Sequence, residues 1–389
     1  MKIKQAPDDF MVEELTDVVA TTGPFALYRM VKRGWGTPEA LAAIRRRWNI
    51  DLHRLSYGGL KDRHAHTIQY FSILNGPKRR LTHHDIEIDY LGQIPQAYRS
   101  TDIRANRFRI TLRDLAPNVR ANFTATATAL PTTGVPNYFD DQRFGSVSKH
   151  GPLAFAAREW VFGRFEAGLQ LALTAPYEYD PAEQKHEKAT LRRLWGDWPA
   201  LKQQLGRSHA RSIVEYLLHH PTDFRGAVAR LRPDLQGLYL SAYQSHLWNQ
   251  TLAHWLNATV PAERLTPLQL RLGAVPAPAN ATPDELVGWR ELQLPLPSAR
   301  LTFDATAWWA SALQAVLSAE GLPLADMKIK GLREPFFSKG DRPAFVVPAE
   351  WSFVLRPDSA HAGRLAAELR FSLPRGAYAT MIVKRLTQG

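Results

Sequence analysis

The 389-residue chain contains no cysteine. That absence removes disulfides, thiolate nucleophiles and Cys-ligated zinc or iron–sulfur sites, so any metal would have to be held by histidines and carboxylates. No apolar run approaches the roughly 18 to 20 residues needed to span a bilayer. The opening MKIKQAPDDFMVEEL has neither an uninterrupted apolar h-region nor a small-residue cleavage site. A cytoplasmic protein without membrane association is therefore expected. A Gly-rich nucleotide loop is also missing, and no internal repeat or low-complexity tract is evident.

Basic residues, by contrast, are in excess: 49 Lys and Arg against 37 Asp and Glu give a formal charge of +12. Such a balance is the electrostatic footprint of a polyanion-binding protein, with RNA or DNA first in line. Charge does not name a reaction. The length exceeds the usual single domain, which implies two domains or one domain with a large insertion.

Along the chain, TPEALAAIRRRW reads as a short helix, with Thr37 as N-cap, Pro38 in the first turn, and Leu41, Ile44 and Trp48 on one stripe. Arg45, Arg46 and Arg47 lie on the other face, where they can meet phosphates or simply be solvated. RLSYGG, TIQYFSIL and DIEIDYLG read as strands. NRFRITLRD alternates, placing Phe108, Ile110 and Leu112 on one face and Arg107, Arg109, Thr111 and Arg113 on the other, which predicts a basic sheet face. From about residue 152 the text turns helical (GPLAFAAREWVFGRFEAGLQLAL, DPAEQKHEKATLRRLWGDW, ARSIVEYLLHH, LYLSAYQSHLWNQTLAHWL). Residues 256–300, rich in Pro and Ala, suggest an irregular excursion. Strand-like text returns in PAFVVP, WSFVLRP and LRFSLP. Sheet text thus brackets helical text, as in an α+β domain interrupted by a helical insertion.

The stretch YGGLKDRHAHTIQYF, residues 57 to 71, concentrates the chemistry-bearing side chains. On a strand Asp62, His64 and His66 would share a face, so a mononuclear metal site is conceivable, but Lys61 and Arg63 put positive charge beside the proposed cation. His83, His84 and Asp85 resemble the His-Asp pair of metal-dependent phosphohydrolases, yet sit in strand-like text rather than a helix. A carboxylate flanked by Lys61 and Arg63 should stay ionised and can act at a sugar carbon of a phosphate-rich substrate. By itself, however, the KDR tripeptide is a weak signal, since most such tripeptides are solvated turns. NYFDDQRFG, residues 137 to 145, adds aromatics that can stack on bases, amides that can bond them and Arg143 for phosphate. LYLSAYQSHLWNQ, residues 238 to 250, reads as a helix with a Leu240, Tyr243, Leu247 core stripe and ordinary packing or surface Ser and Gln. LPRGAYATMIVKRL sets Tyr378 after a glycine turn.

Taken in order and spacing, DFMVEE, GGLKDRHAHTIQYFSI, NRFRITLR, NYFDDQRFG, SAYQSHLWN and LPRGAYATMIVKRL closely resemble the TruD family of tRNA pseudouridine synthases. The resemblance implies a circularly permuted pseudouridine-synthase fold, with a mixed, mostly antiparallel sheet and flanking helices. It also implies an inserted, mainly helical TRUD domain, here over 156–340, between catalytic segments 1–155 and 341–389. By family pattern Asp62 is the catalytic aspartate, with Lys61 and Arg63 beside it. Asn137 and Phe139 match the active-site NxF positions, Arg143 belongs to the same substrate-binding motif, and Tyr378 is the aromatic that packs against the target base. The implied activity is isomerisation of uridine 13 in the D arm of tRNA. No cofactor or metal is implied, tRNA is the partner, and a monomer is expected. A non-catalytic RNA-binding protein on the same scaffold and a His/Asp metallohydrolase are the alternatives. The chain departs from the pattern at Asp140, where the family often has Gly, so that an extra negative charge is expected near the RNA surface. It departs also at Glu13, where some members have Lys, and at Tyr378, where some have Phe. No catalytic role is carried onto residues 1–20.

Overall fold

The computed structural model describes residues 1–147, 154–177, 180–302, 304–332 and 335–388. The chain divides into two compact units, one formed by Met1–Val135 with Val346–Thr387 and the other by Pro136–Phe345 with Gln388.

The first unit is built on one nine-stranded sheet. Its strands are β1 (Phe10–Thr16), β2 (Phe25–Arg33), β3 (Leu55–Tyr57), β4 (His66–Leu74), β5 (Leu81–His83), β6 (Ile86–Ile94), β7 (Ile103–Leu115), β8 (Ala349–Pro357) and β9 (Leu365–Pro374). They lie in the order β8-β9-β7-β1-β4-β2-β6-β5, with β3 also paired to β4. The β1–β4 pair is parallel, and every other pairing in this sheet is antiparallel. Helices α1 (Thr37–Trp48), α2 (Arg120–Thr133) and α3 (Ala379–Gln388) complete the unit.

Helix α1 starts one residue earlier than its text suggests. Gly36 is the cap, its N–H bonded to Glu39 Oε2 at 3.2 Å. Thr37 uses its hydroxyl elsewhere, donating to Gln69 Oε1 (2.8 Å) and accepting from the Lys61 N–H (2.9 Å). Leu41 and Ile44 pack with Tyr28, Phe71, Ile73 and Ile88, and each such fully buried side chain contributes about 1.5–3 kcal/mol. Register places Tyr28 opposite Phe71, Met30 opposite Gln69 and Lys32 opposite Thr67. The buried face therefore changes from apolar to polar toward the start of β4, and Lys32, Thr67, Gln69 and Glu14 are all fully buried there. Buried polar groups are costly unless paired, and here Lys32 bonds the Trp35 and Asp62 carbonyls, Gln69 the Thr37 hydroxyl and Glu14 the Lys61 ammonium.

On β7, Phe108, Ile110 and Leu112 are buried and Arg107 and Arg109 exposed, as the alternation predicts. The face is nevertheless not an open basic track. Arg107 pairs with Glu350 (3.2 Å) and Glu13 (3.4 Å), Arg113 with Asp9 (2.7 Å) and Asp358 (3.4 Å), and Arg104 with Asp17 (3.2 Å).

In the second unit the spine is the helix Pro233–Thr259, with proline in its first turn and Leu240, Tyr243, Leu247 and Trp248 buried. Helices Ala156–Val161, Phe165–Thr174, Ala182–Arg193 and His209–His219 form where helical text was read, while residues 151–153 of that text lie outside the described residues. The stretch 256–300 is more ordered than its composition suggests. It holds an antiparallel ribbon, Leu265–Leu270 with Gly273–Pro278, and a helix Pro283–Glu291 capped reciprocally by Thr282 and Glu285. A two-stranded ribbon has two open edges, so prolines that lack an N–H are tolerated in it. Among the described residues no helix is long and apolar enough to cross a membrane.

Candidate active site

The Gly58–Ala65 loop joins β3 to β4. Gly58 sits in close quarters: a Cβ there would lie 2.5 Å from Ile103 Cδ1, so the Ile103 side chain would have to shift to admit one. Beyond it the chain is tied down from three directions. The Lys61 N–H reaches the Thr37 hydroxyl, and the buried Lys32 ammonium donates to the carbonyls of Trp35 (2.6 Å) and Asp62 (3.2 Å). Asp62 Oδ1 accepts from the His64 N–H at 2.8 Å, an Asx-type turn that fixes the side-chain direction. Burial pulls Lys32 down to about 8, against the fields of Asp62 and Glu39 that favour its charge.

The Asp62 carboxylate is 26% exposed: reachable by substrate, yet largely withdrawn from water. Its cationic partner is Lys4, which forms an ion pair with Oδ2. Burial by itself would raise the Asp62 carboxyl. The Lys4 ammonium and the His64 amide outweigh burial and hold it below the usual carboxylate range. Lys61 and Arg63 do not perform this task. Lys61 turns to Glu14 (2.9 Å) and Asn106 (2.9 Å), and Arg63 pairs with Glu39 (3.0 Å) near the surface. The counter-ion thus comes from the opening segment, to which sequence reasoning assigned no role.

Asp62, His64 and His66 do not converge on a common point. Asp62 faces Lys4, and the His66 ring nitrogen Nδ1 lies 2.9 Å from Asp8 and 3.4 Å from Arg33 Nε. His83 stands on β5, 3.0 Å from Arg47, in the strand setting its text implied. Among the described residues no group of three or more His, Asp and Glu is placed to hold a metal ion. Tyr378, in the first unit, is half-buried immediately before α3, and its carbonyl accepts from the Met381 N–H at 3.0 Å. The chain therefore closes in a helix.

Asn137, Phe139 and Arg143 belong to the second unit. Asn137 is 3% exposed. Its N–H bonds to Ala344 O (2.8 Å), its Nδ2 donates to Pro343 O (3.0 Å), and its carbonyl and Oδ1 both accept from Arg342 (2.7 and 2.8 Å). The Phe139 ring meets Trp248 edge-on, with centroids 5.4 Å apart, and carries the Arg342 guanidinium 4.1 Å above it. Arg143 lies 5.2 Å from the same ring, in cation–π range rather than extended toward solvent. Asp140 is buried, so it adds no exposed negative charge. Of the polar groups of SAYQSHLWN, Gln244, Ser245, His246 and Asn249 are interior as well. Gln244 donates to the carbonyls of Pro297 and Ser338, and Asn249 bonds the main chain of Phe139. Arg342 and Asn249 escaped sequence reasoning because they meet their targets across 205 and 110 residues.

Compared with known proteins, residues 1–386 match the family described as tRNA pseudouridine synthase D (TruD). The Methanococcus maripaludis protein named tRNA pseudouridine synthase D 1 is 27% identical over 99% of this chain and 99% of its own. The tRNA pseudouridine synthase D of Leptospira interrogans is 26% identical over 99% and 95%. A crystal structure of the Methanosarcina mazei protein assigned as tRNA pseudouridine synthase D superposes with a TM-score of 0.73, covering 100% of this chain and 93% of that one at 24% identity, which establishes a shared fold.

Proposed function

The chain belongs to the TruD family of tRNA pseudouridine synthases and is therefore an isomerase acting on tRNA; from that premise we propose that it converts uridine 13 of the D arm, in the cytoplasm, with Asp62 as its catalytic carboxylate. The observation that carries the proposal is the Asp62 site. A single ionised carboxylate, partly exposed, is oriented by a backbone turn and an ammonium at its side, and a buried lysine holds the main-chain carbonyl of the same residue. We take the first unit as the catalytic domain and the second as the family's inserted domain.

In the reaction the N1–C1′ bond breaks, uracil turns, C5 joins C1′, and the C5 proton is lost while N1 gains one. Positive character at C1′ is met by a carboxylate that needs no prior deprotonation. Asp62 can do this as nucleophile, as stabiliser of the sugar cation, or as base on a glycal route. Nothing is oxidised and no group leaves, so the rearrangement calls for no cofactor. The target nucleotide must leave its stack, at about a few kcal/mol. Stacking on an aromatic ring, about 1–3 kcal/mol per base, offsets this; Tyr378 is the ring the family pattern assigns to the base. Mapping by carbodiimide-blocked primer extension in tRNA incubated with the protein tests the specificity. A new stop at position 13 is expected, and stops elsewhere with position 13 unmodified would refute it.

A further inference from the structure

Helix α1 ends in Arg45, Arg46 and Arg47, whose side chains are used differently. Arg45 is half-buried and donates to the Ile50 carbonyl at 3.2 Å, which ties down the chain leaving the helix. Arg46 and Arg47 are exposed. Arg47 donates to Nδ1 of His83, on β5, at 3.0 Å. The His83 ring stands 4.3 Å from that of His84 and 6.3 Å from the indole of Trp35, centroid to centroid. Desolvation and the positive fields of Arg47, His84 and Arg46 hold the His83 imidazole below its ordinary range. A neutral imidazole that accepts at Nδ1 carries its proton at Nε2, and that N–H has no partner among the described residues. Nor does any carboxylate among them pair with Arg46, Arg47, His83 or His84, Asp85 of the same turn included. The helix dipole explains little of this, since an exposed cation at a helix C-terminus contributes only about 0.3–1 kcal/mol and Arg45 already serves that end. Other exposed arginines of this unit are neutralised, Arg63 by Glu39, Arg104 by Asp17 and Arg370 by Glu368. Nitrogen donors left without an acid form a surface for an anion.

The cluster is continuous with the Asp62 loop, within the first unit. The Lys32 ammonium bonds the carbonyls of both Trp35 and Asp62. Thr37, at the start of α1, holds the Lys61 N–H, and Arg47, at its end, lies about 15 Å further along the helix axis. A small anion would fill one point of such a row, whereas a span of that length leading to the reactive carboxylate fits a chain of phosphates. We propose that Arg46, Arg47, His83 and His84 form a docking surface for the tRNA backbone, binding phosphates of the strand that leads to the nucleotide at Asp62. This rests on the reading of Asp62 as the reactive carboxylate. Phosphate contacts fix register without reading sequence, so the surface serves binding and takes no part in the isomerisation.

The salt dependence of tRNA binding tests this. Arg46→Gln with Arg47→Gln is compared with Arg356→Gln with Arg370→Gln, which removes the same net charge from exposed arginines that already share Glu368. Glutamine keeps the helix propensity of arginine. Each phosphate contact contributes about 0.7–0.9 to the slope of log affinity on log salt. The first variant should therefore bind tRNA about tenfold more weakly at about 0.1 M salt, with a slope shallower by about 1.5. Its single-turnover rate at saturating tRNA should stay within about twofold of the wild type. The second variant should keep its affinity within about twofold and its slope unmoved. Equal losses of affinity in the two variants, or an unmoved slope in the first, overturns the inference. A slower rate at saturation with unchanged binding overturns it as well, by moving the cluster into the chemical step. Binding is measured apart from turnover, so turnover retained in Asp62→Asn would overturn the reading of Asp62 and leave the docking result standing.

Discussion

Replacing Lys4 by methionine keeps the length of the side chain and removes its charge, leaving Asp62 with the His64 amide as its remaining close side-chain partner. Two unit charges 4 Å apart at an effective dielectric near 20 attract by about 4 kcal/mol, an upper bound because both groups keep some water: 19% of the Lys4 side chain and 26% of Asp62 are exposed. Hydrogen bonds to charged groups contribute about 1.5–3 kcal/mol net, so Lys4→Met should lower kcat/KM by about 10- to 150-fold at neutral pH. The pH profile carries the sharper signature. With Lys4 present the Asp62 carboxyl lies below its ordinary range, so its contribution to folding is in place above the unfolded carboxylate pKa and is lost only as pH falls through the depressed value. Without Lys4, burial is largely unopposed and the acid limb of kcat/KM moves to higher pH. Tritium release from tRNA carrying 5-labelled uridine, followed between pH 4 and 8, reads both effects, and Lys4→Arg should recover most of the rate. An unchanged rate and an unmoved acid limb in a folded Lys4→Met protein would refute the role of the pair.

Tyr378→Ala should lower turnover chiefly through base positioning, whereas Tyr378→Phe should keep much of it; equal losses in the two, measured as single-turnover rates, would assign the work to the hydroxyl instead of the ring. Burial lowers Lys32 to about 8 in the fold from the 10.5 ordinary for a lysine, so the unfolded chain binds more protons between those values and the contribution of Lys32 to stability rises with pH across that window. Urea unfolding of the wild type and Lys32→Met at pH 7 and pH 10 should show the stability difference shifting in favour of the wild type at the higher pH; a difference independent of pH would contradict the burial of this amine.

Strands and helices with clear periodicity were legible from the text: Phe108, Ile110 and Leu112 do face the core, and Leu240, Tyr243 and Leu247 do form a buried stripe. Asp62 was legible through its motif. Its counter-ion was not, because a pairing across 58 residues leaves no periodic trace, and because adjacent residues in a tight turn point apart, which sends Lys61 to Glu14 and Arg63 to Glu39. The basic face of β7 failed for a related reason. Alternation tells which side Arg107 and Arg113 occupy, while Glu350, on β8, and Asp358, just after it, which neutralise them, arrive more than two hundred residues later. In 256–300, proline content hid a ribbon whose open edges tolerate missing donors. At the chain's end the run Met381-Ile382-Val383 concealed a helix, since β-branched residues weaken helical propensity by only tenths of a kcal/mol and burial decides.

All of this converges on one carboxylate, and Asp62→Asn tests it most directly. The substitution preserves shape and the bond from the His64 N–H while removing the charge. Pseudouridine mapped in total RNA incubated with the wild type and with Asp62→Asn should show the modification in tRNA for the first and none for the second, with tRNA binding retained in both. Pseudouridine formed by Asp62→Asn at the wild-type rate would contradict the account.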